Sequence, residues 1–165
     1  MLESPNILHV ILAFGGAGCL FAAMLETRRR TIKRWRLLWP PCLALAVAAV
    51  AGLAQIEMEQ PIWPFAAVIA IGLAIGVVRG ATISFKVDHY WSLIQVRRTS
   101  RRALGWVAAV VAADAILECA AAISGQPLVT WRFVGALAAA ACTGMLWGRA
   151  TGILARMRYA PHVDL

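Results

Sequence analysis

Five apolar runs, each close to twenty residues long, leave this chain few ways to fold. They cover residues 6–25, 38–56, 62–83, 104–123 and 131–153. A helix of about 20 mostly apolar residues crosses the hydrocarbon core of a bilayer. A helix of a water-soluble protein keeps a polar face, whereas these runs are apolar all round. In lipid, each segment must satisfy its own backbone N–H and C=O groups, and a helix does so internally. The sequence therefore predicts an all-α transmembrane five-helix bundle, one domain over residues 1–165. Composition agrees: 15% of residues are charged, against about 25% in soluble domains.

The net charge of +8 does not point to nucleic acid, because the bases are confined to alternate loops. Arg28, Arg29, Arg30, Lys33, Arg34 and Arg36 follow the first run. Lys86, Arg97, Arg98, Arg101 and Arg102 separate the third from the fourth, and Arg149, Arg156 and Arg158 end the fifth. The intervening segments carry Glu3, Glu57 and Glu59, with Arg132 as their one base. Lys and Arg are retained on the cytoplasmic side, so the N-terminus is expected outside and the C-terminus in the cytoplasm. The first run lacks the positive leader of a secretory signal and is expected to remain a span. Six tryptophans fit the same map. Trp35, Trp39, Trp106 and Trp147 fall near cytoplasmic ends, Trp63 and Trp131 near external ones, as interfacial enrichment requires. The loop bases Arg28, Arg29, Arg30, Lys33, Arg34, Arg97, Arg98, Arg101 and Arg102 are placed to meet anionic lipid.

Glycines mark the packing faces. Gly72, Gly76 and Gly80 recur every fourth residue in the third run, and Gly144, Gly148 and Gly152 do so in the fifth. Such a glycine zipper lets two backbones approach closely where lipid gives no hydrophobic incentive to associate. Both helices run from outside to inside, so their tight faces lie at similar depth, against each other or against another subunit. Ala44, Ala48 and Gly52 give the second run a small-residue face as well, and Pro40-Pro41 opens it without loss of a needed hydrogen bond.

Between the third and fourth runs the period changes. Phe85-Lys86-Val87-Asp88 and Leu93-Ile94-Gln95-Val96-Arg97-Arg98 read as a short cytoplasmic β-hairpin. A lone hairpin is marginal in water, so this one needs the bilayer surface or a partner. The alternative is a basic interfacial helix over 91–102.

Charges inside a bilayer are functional candidates. Asp114 is mid-span in the fourth run, and Glu118 at i+4 lies on the same face. Arg79 in the third helix is at a depth from which it can reach Asp114, and Arg132 can approach Glu118 from the external end. Two readings stand: a proton or cation path, or buried ion pairs that fix helix register. The lack of broken helices or an internal repeat, usual in transporters, favours the second. Cys19, Cys42, Cys119 and Cys142 lie in spans without a CxxC; Cys19 and Cys42 are the one couple at similar depth. His9 is expected to be a hydrogen-bonded interfacial histidine. No Walker loop, GxSxG or HExxH is present, so no catalytic, metal or cofactor-binding residues are assigned and no soluble substrate is identified.

The layout resembles the CcdC-like family of small bacterial membrane proteins, named for an association with cytochrome c biogenesis. The resemblance rests on the first span with its basic loop and Leu38-Trp39-Pro40-Pro41 opening the second. It extends through the Phe85-Lys86-Val87 to Arg97-Arg98 insert and Trp147-Gly148-Arg149 before a basic tail. It implies a multi-pass protein of the bacterial inner membrane with a redox-linked assembly role, and it transfers no functional residue. The expected function is a non-enzymatic accessory or assembly protein that packs through its glycine faces against other integral membrane subunits. The alternative is a small transporter or ion-conducting subunit using Asp114 and Glu118.

Overall fold

The computed structural model describes residues 7–28, 31–88, 93–96, 98–124, 129–157 and 159–160. In chain order these form α1 (Ile7–Arg28), β1 (Ile32–Lys33), a 3-10 turn (Arg34–Leu38), α2 (Trp39–Glu57) and α3 (Trp63–Thr82). Then come β2 (Phe85–Asp88), β3 (Leu93–Val96), α4 (Arg98–Ser124) and α5 (Val129–Met157). Among the described residues five helices are long and apolar enough to cross a membrane; even α2, with 19 residues, rises about 28 Å. Proline at the first turns of α2 and α3 sits where its missing N–H costs nothing. The start of the first span, at residues 4–6, lies outside the described residues.

The helix α5 is the hub. It packs on α3, α2 and α4, while α1 packs on α4 and α2. The sheet, the 3-10 turn, the end of α1 and the ends of α3 and α5 gather at one end of the bundle, here the sheet end. Glu57 and Glu59 lie at the opposite, far end. The main apolar core is built from small and medium side chains, among them Leu12, Ala23, Val47, Ala108, Val111 and Leu146.

The glycine stripes face each other inside the chain. All six glycines are buried. A Cβ added at Gly80 would lie 2.6 Å from the Arg149 carbonyl oxygen, and one at Gly152 would lie 2.9 Å from that of Val77. Gly72 meets Ala141, Gly76 meets Met145, and Gly148 meets Leu73. The contacts advance together along both helices, so α3 and α5 run parallel, backbone against backbone. Elsewhere α3 faces outward: Ile71, Ile75 and Val78 are exposed. The expected contact of these stripes with another subunit is therefore replaced by one within the chain.

The hairpin exists and is not alone. β2 and β3 pair antiparallel, Phe85 opposite Val96 and Val87 opposite Ile94. β1 joins the other edge of β3, Ile32 opposite Ile94, giving the order β1-β3-β2. Alternation along the strands turns Ile32, Val87, Ile94 and Val96 inward, where the last three pack with Leu37, Ile153 and Met157. The partner a marginal hairpin needs is the end of α5. Arg156 also donates to the Ile83 carbonyl at 2.9 Å, occupying an acceptor at the end of α3, and lies 5.1 Å from the Phe85 ring centre. The hairpin turn at 89–92 lies outside the described residues. From Arg98 the chain is already α4, so the basic residues before Leu104 extend a span rather than form a separate interfacial helix.

Candidate functional site

Among the described residues two ion pairs lie within the bundle, and α5 supplies the base in both. Toward the far end, Glu118 on α4 is fully buried. Its Oε2 accepts from Arg132 Nε at 2.9 Å and from the Arg132 terminal nitrogen at 2.7 Å. The two residues are 14 apart in sequence, so the close of α4 and the opening of α5 bring them together. Both bonds are charge-assisted and converge on the one oxygen, while Glu118 Oε1 has no partner among the described residues.

Asp114 lies one turn from Glu118 and is equally buried, 3% exposed. Neither of its carboxylate oxygens has a hydrogen-bond partner among the described residues. The residue it approaches is Gly135 of α5, where a Cβ would lie 2.6 Å from Asp114 Oδ1. Gly135 thus leaves room for the carboxylate, a role that the four-residue glycine pattern did not reveal. The expected Arg79–Asp114 pair does not form. Arg79 lies exposed on α3, and α3 packs against α5 rather than α4. Helical rise gave the two residues a similar depth, but depth fixes only one of three coordinates.

The second pair is at the sheet end, and sequence reasoning missed it. Glu26 on α1 and Arg149 on α5 form a buried ion pair across 123 residues of chain. Glu26 read as the boundary of the first span, and Arg149 as a neighbour of Gly148. The signal was present: Cys19, Ala22, Ala23 and Glu26 follow i, i+3, i+4, i+7, one helix face, and all four are buried. The other carboxylate oxygen of Glu26, and Nε of Arg149, have no partner among the described residues.

Apolar core separates these two clusters. Arg132 and Arg149 are 17 residues apart on α5, about 25 Å along the helix. The one buried hydroxyl on α5 between them, that of Thr143, lies 2.8 Å from the Ala139 carbonyl and 3.1 Å from that of Ala44 on α2. It binds helix to helix.

The remaining candidates are scattered between surface and core. Arg28, Lys33, Arg34 and Arg102 are exposed at the sheet end. Arg29, Arg30 and Arg97, and the side chains of Arg98 and Arg101, lie outside the described residues. Cys19 and Cys42 are not a couple: Cys19 is buried with its thiol 3.6 Å from the Pro40 carbonyl, Cys42 is exposed, and both are free. His9 is buried near the start of α1, and its carbonyl lies 3.6 Å from the Cys119 thiol on α4. Among the described residues no three His, Cys, Asp or Glu side chains converge to hold a metal.

The fold defines a multi-pass helical architecture with buried charges joining its helices. No protein-family model, curated protein or solved structure matches the chain.

Proposed function

We propose that the protein is a non-enzymatic accessory or assembly subunit of the bacterial inner membrane, seated beside other integral membrane proteins. The observation that carries this reading is the use of the buried charges. Glu118–Arg132 ties α4 to α5 and Glu26–Arg149 ties α1 to α5, with apolar side chains between. Such groups fix which helices meet and in what register; a conducting path would need polar groups in the gap. The CcdC-like resemblance supports a cytochrome-containing complex as the neighbour. With the glycine stripes occupied internally, the exposed outer face of α3, including Ile71, Ile75 and Val78, is the surface such a neighbour would cover. The basic sheet end faces the cytoplasm in this proposal, meeting anionic lipid. A reporter fused after Gln60 should then read as external, and a cytoplasmic signal there would reverse the orientation.

One observation favours the runner-up, a proton- or cation-conducting subunit: Asp114 is buried, and neither of its oxygens is bonded among the described residues. The test uses the full chain in liposomes and in its native membrane. An accessory subunit co-purifies with a defined set of chains in mild detergent and gives no pH- or potential-driven flux. Flux in the parent that Asp114→Asn abolishes, with folding intact, would overturn the accessory reading.

A further inference from the structure

The helices α2 and α3 are consecutive and joined by a short turn, yet they scarcely touch. The glycine stripe draws α3 onto α5, and Thr143 holds α2 to α5 on another side. Between them a groove of about 410 Å³ opens laterally, with α5 as its floor. Along α2 it runs from Leu45 to Ile56, about 16 Å at helical rise. Its walls include Ala48, Gly52, Phe65, Leu73 and Trp147, and no ionisable side chain lines it.

Three polar side chains reach the otherwise apolar lining: Gln60, half-buried, Thr143, whose hydroxyl already lies on the Ala44 and Ala139 carbonyls, and Gln55. Gln55 lies near the far end of the groove and is 1% exposed. Neither its amide oxygen nor its amide nitrogen has a hydrogen-bond partner among the described residues. A buried donor and acceptor left unmet are destabilising, and membrane interiors offer no water to relieve them. A group that accepts one hydrogen bond and donates another at a single point would satisfy both atoms. A hydroxyl does this; an ester or ether oxygen only accepts.

We propose that this groove binds a neutral lipid whose hydroxyl engages Gln55 and whose apolar body lies along α2 toward Leu45. The size suits a small molecule. The volume lies within the ordinary range of small-ligand pockets, about 300–1,000 Å³. The absence of lining charge disfavours a phosphate or carboxylate head. A hydroxyl of this kind can come from a long-chain alcohol or from an isoprenoid hydroquinone.

Gly52 supplies the control, since a Cβ there would meet nothing within 4 Å. Gly52→Leu projects a side chain into the groove from a position with open space at its first carbon. The experiment photolabels the full chain in nanodiscs with diazirine-bearing hexadecanol, or with its methyl ether as the matched acceptor-only probe. The expected result is alcohol labelling of the α2 segment over 45–56, weaker labelling by the ether, and block by Gly52→Leu. Gln55→Leu should cut alcohol labelling about tenfold, equivalent to 1.4 kcal/mol, while thermal stability holds or rises because two unmet polar atoms are gone. Should that variant fold poorly, Gln55→Met serves in its place. Excess unlabelled hexadecanol and excess prenylated hydroquinone identify which source of the hydroxyl competes better; competition by neither overturns the proposal. So does equal labelling by alcohol and ether, or undiminished labelling of both Gln55 variants.

Discussion

The two sides of α5 are held by opposite means. Against α3 the contact is mainly backbone: six glycines bring main chain onto main chain, with Phe65 edge-on to Phe133 at 5.8 Å toward the far end, and no ion pair joins the two helices among the described residues. Against α1 and α4 the helix presents arginines, each meeting a buried glutamate. The first side depends on the absence of atoms, summing many weak van der Waals and Cα–H···O contacts. The second depends on two specific groups that must be present together. Failure should therefore look different on each side: any side chain added to the first is ruinous, whereas the second tolerates removal of both partners but not of one.

The largest effect is expected where space is least. Gly148→Leu places a branched side chain into the backbone of α3 at Leu73 and Val77, and Gly76→Leu does the same to α5. Either should cost more than about 4 kcal/mol, the scale reached when overpacking cannot be absorbed by a flexible neighbour. Loss of monodisperse protein on size exclusion would show it; normal yield and melting would mean that α3 does not lie on α5 this way.

The charged side follows. Glu26→Gln strips Arg149 of its counter-charge and should cost about 3–5 kcal/mol, with Glu26→Leu combined with Arg149→Leu recovering most of it. A double variant as unstable as the single would show that the pair's own hydrogen bonds, rather than an orphaned charge, hold α1. Arg79→Leu belongs to neither side. Lying exposed on α3, it should stay within about 0.5 kcal/mol of the parent in a thermal melt; a large loss would restore the Arg79–Asp114 pair.

The smallest effect separates glycine as a packing device from glycine as a mere helix weakness. Gly105 in α4 has open space where its Cβ would be. Gly105→Ala should raise stability by about 0.5–1 kcal/mol, the ordinary helix-propensity gain. Destabilisation there would mean that a surface not visible within one chain presses against Gly105.

The sequence made the span lengths legible because apolarity over twenty residues is a local property. The stripes in α3 and α5 were legible as close-contact faces for the same reason. Their mutual pairing was not, since spacing within a helix says nothing of which neighbour it meets. Glu118–Arg132 could be anticipated because a short connection separates the two helices. Glu26–Arg149 could not be inferred from proximity in the chain, and only the buried phase of Cys19, Ala22 and Ala23 hinted at it. β1 is two residues long, below the length at which alternation can be recognised, so the third strand was invisible. The groove beside Gln55 is a consequence of two helices not meeting, which no local pattern records.

Ala141 is made 69 residues after Gly72, the glycine it covers. At about 5–20 residues per second of synthesis, roughly 3–14 s pass before the partner of α3 exists. Throughout that interval α3 sits in the bilayer with its notched backbone face open to any helix of suitable shape. The assembly of this molecule is thus exposed to a waiting time, and whatever else inserts nearby during those seconds competes for the place α5 will take.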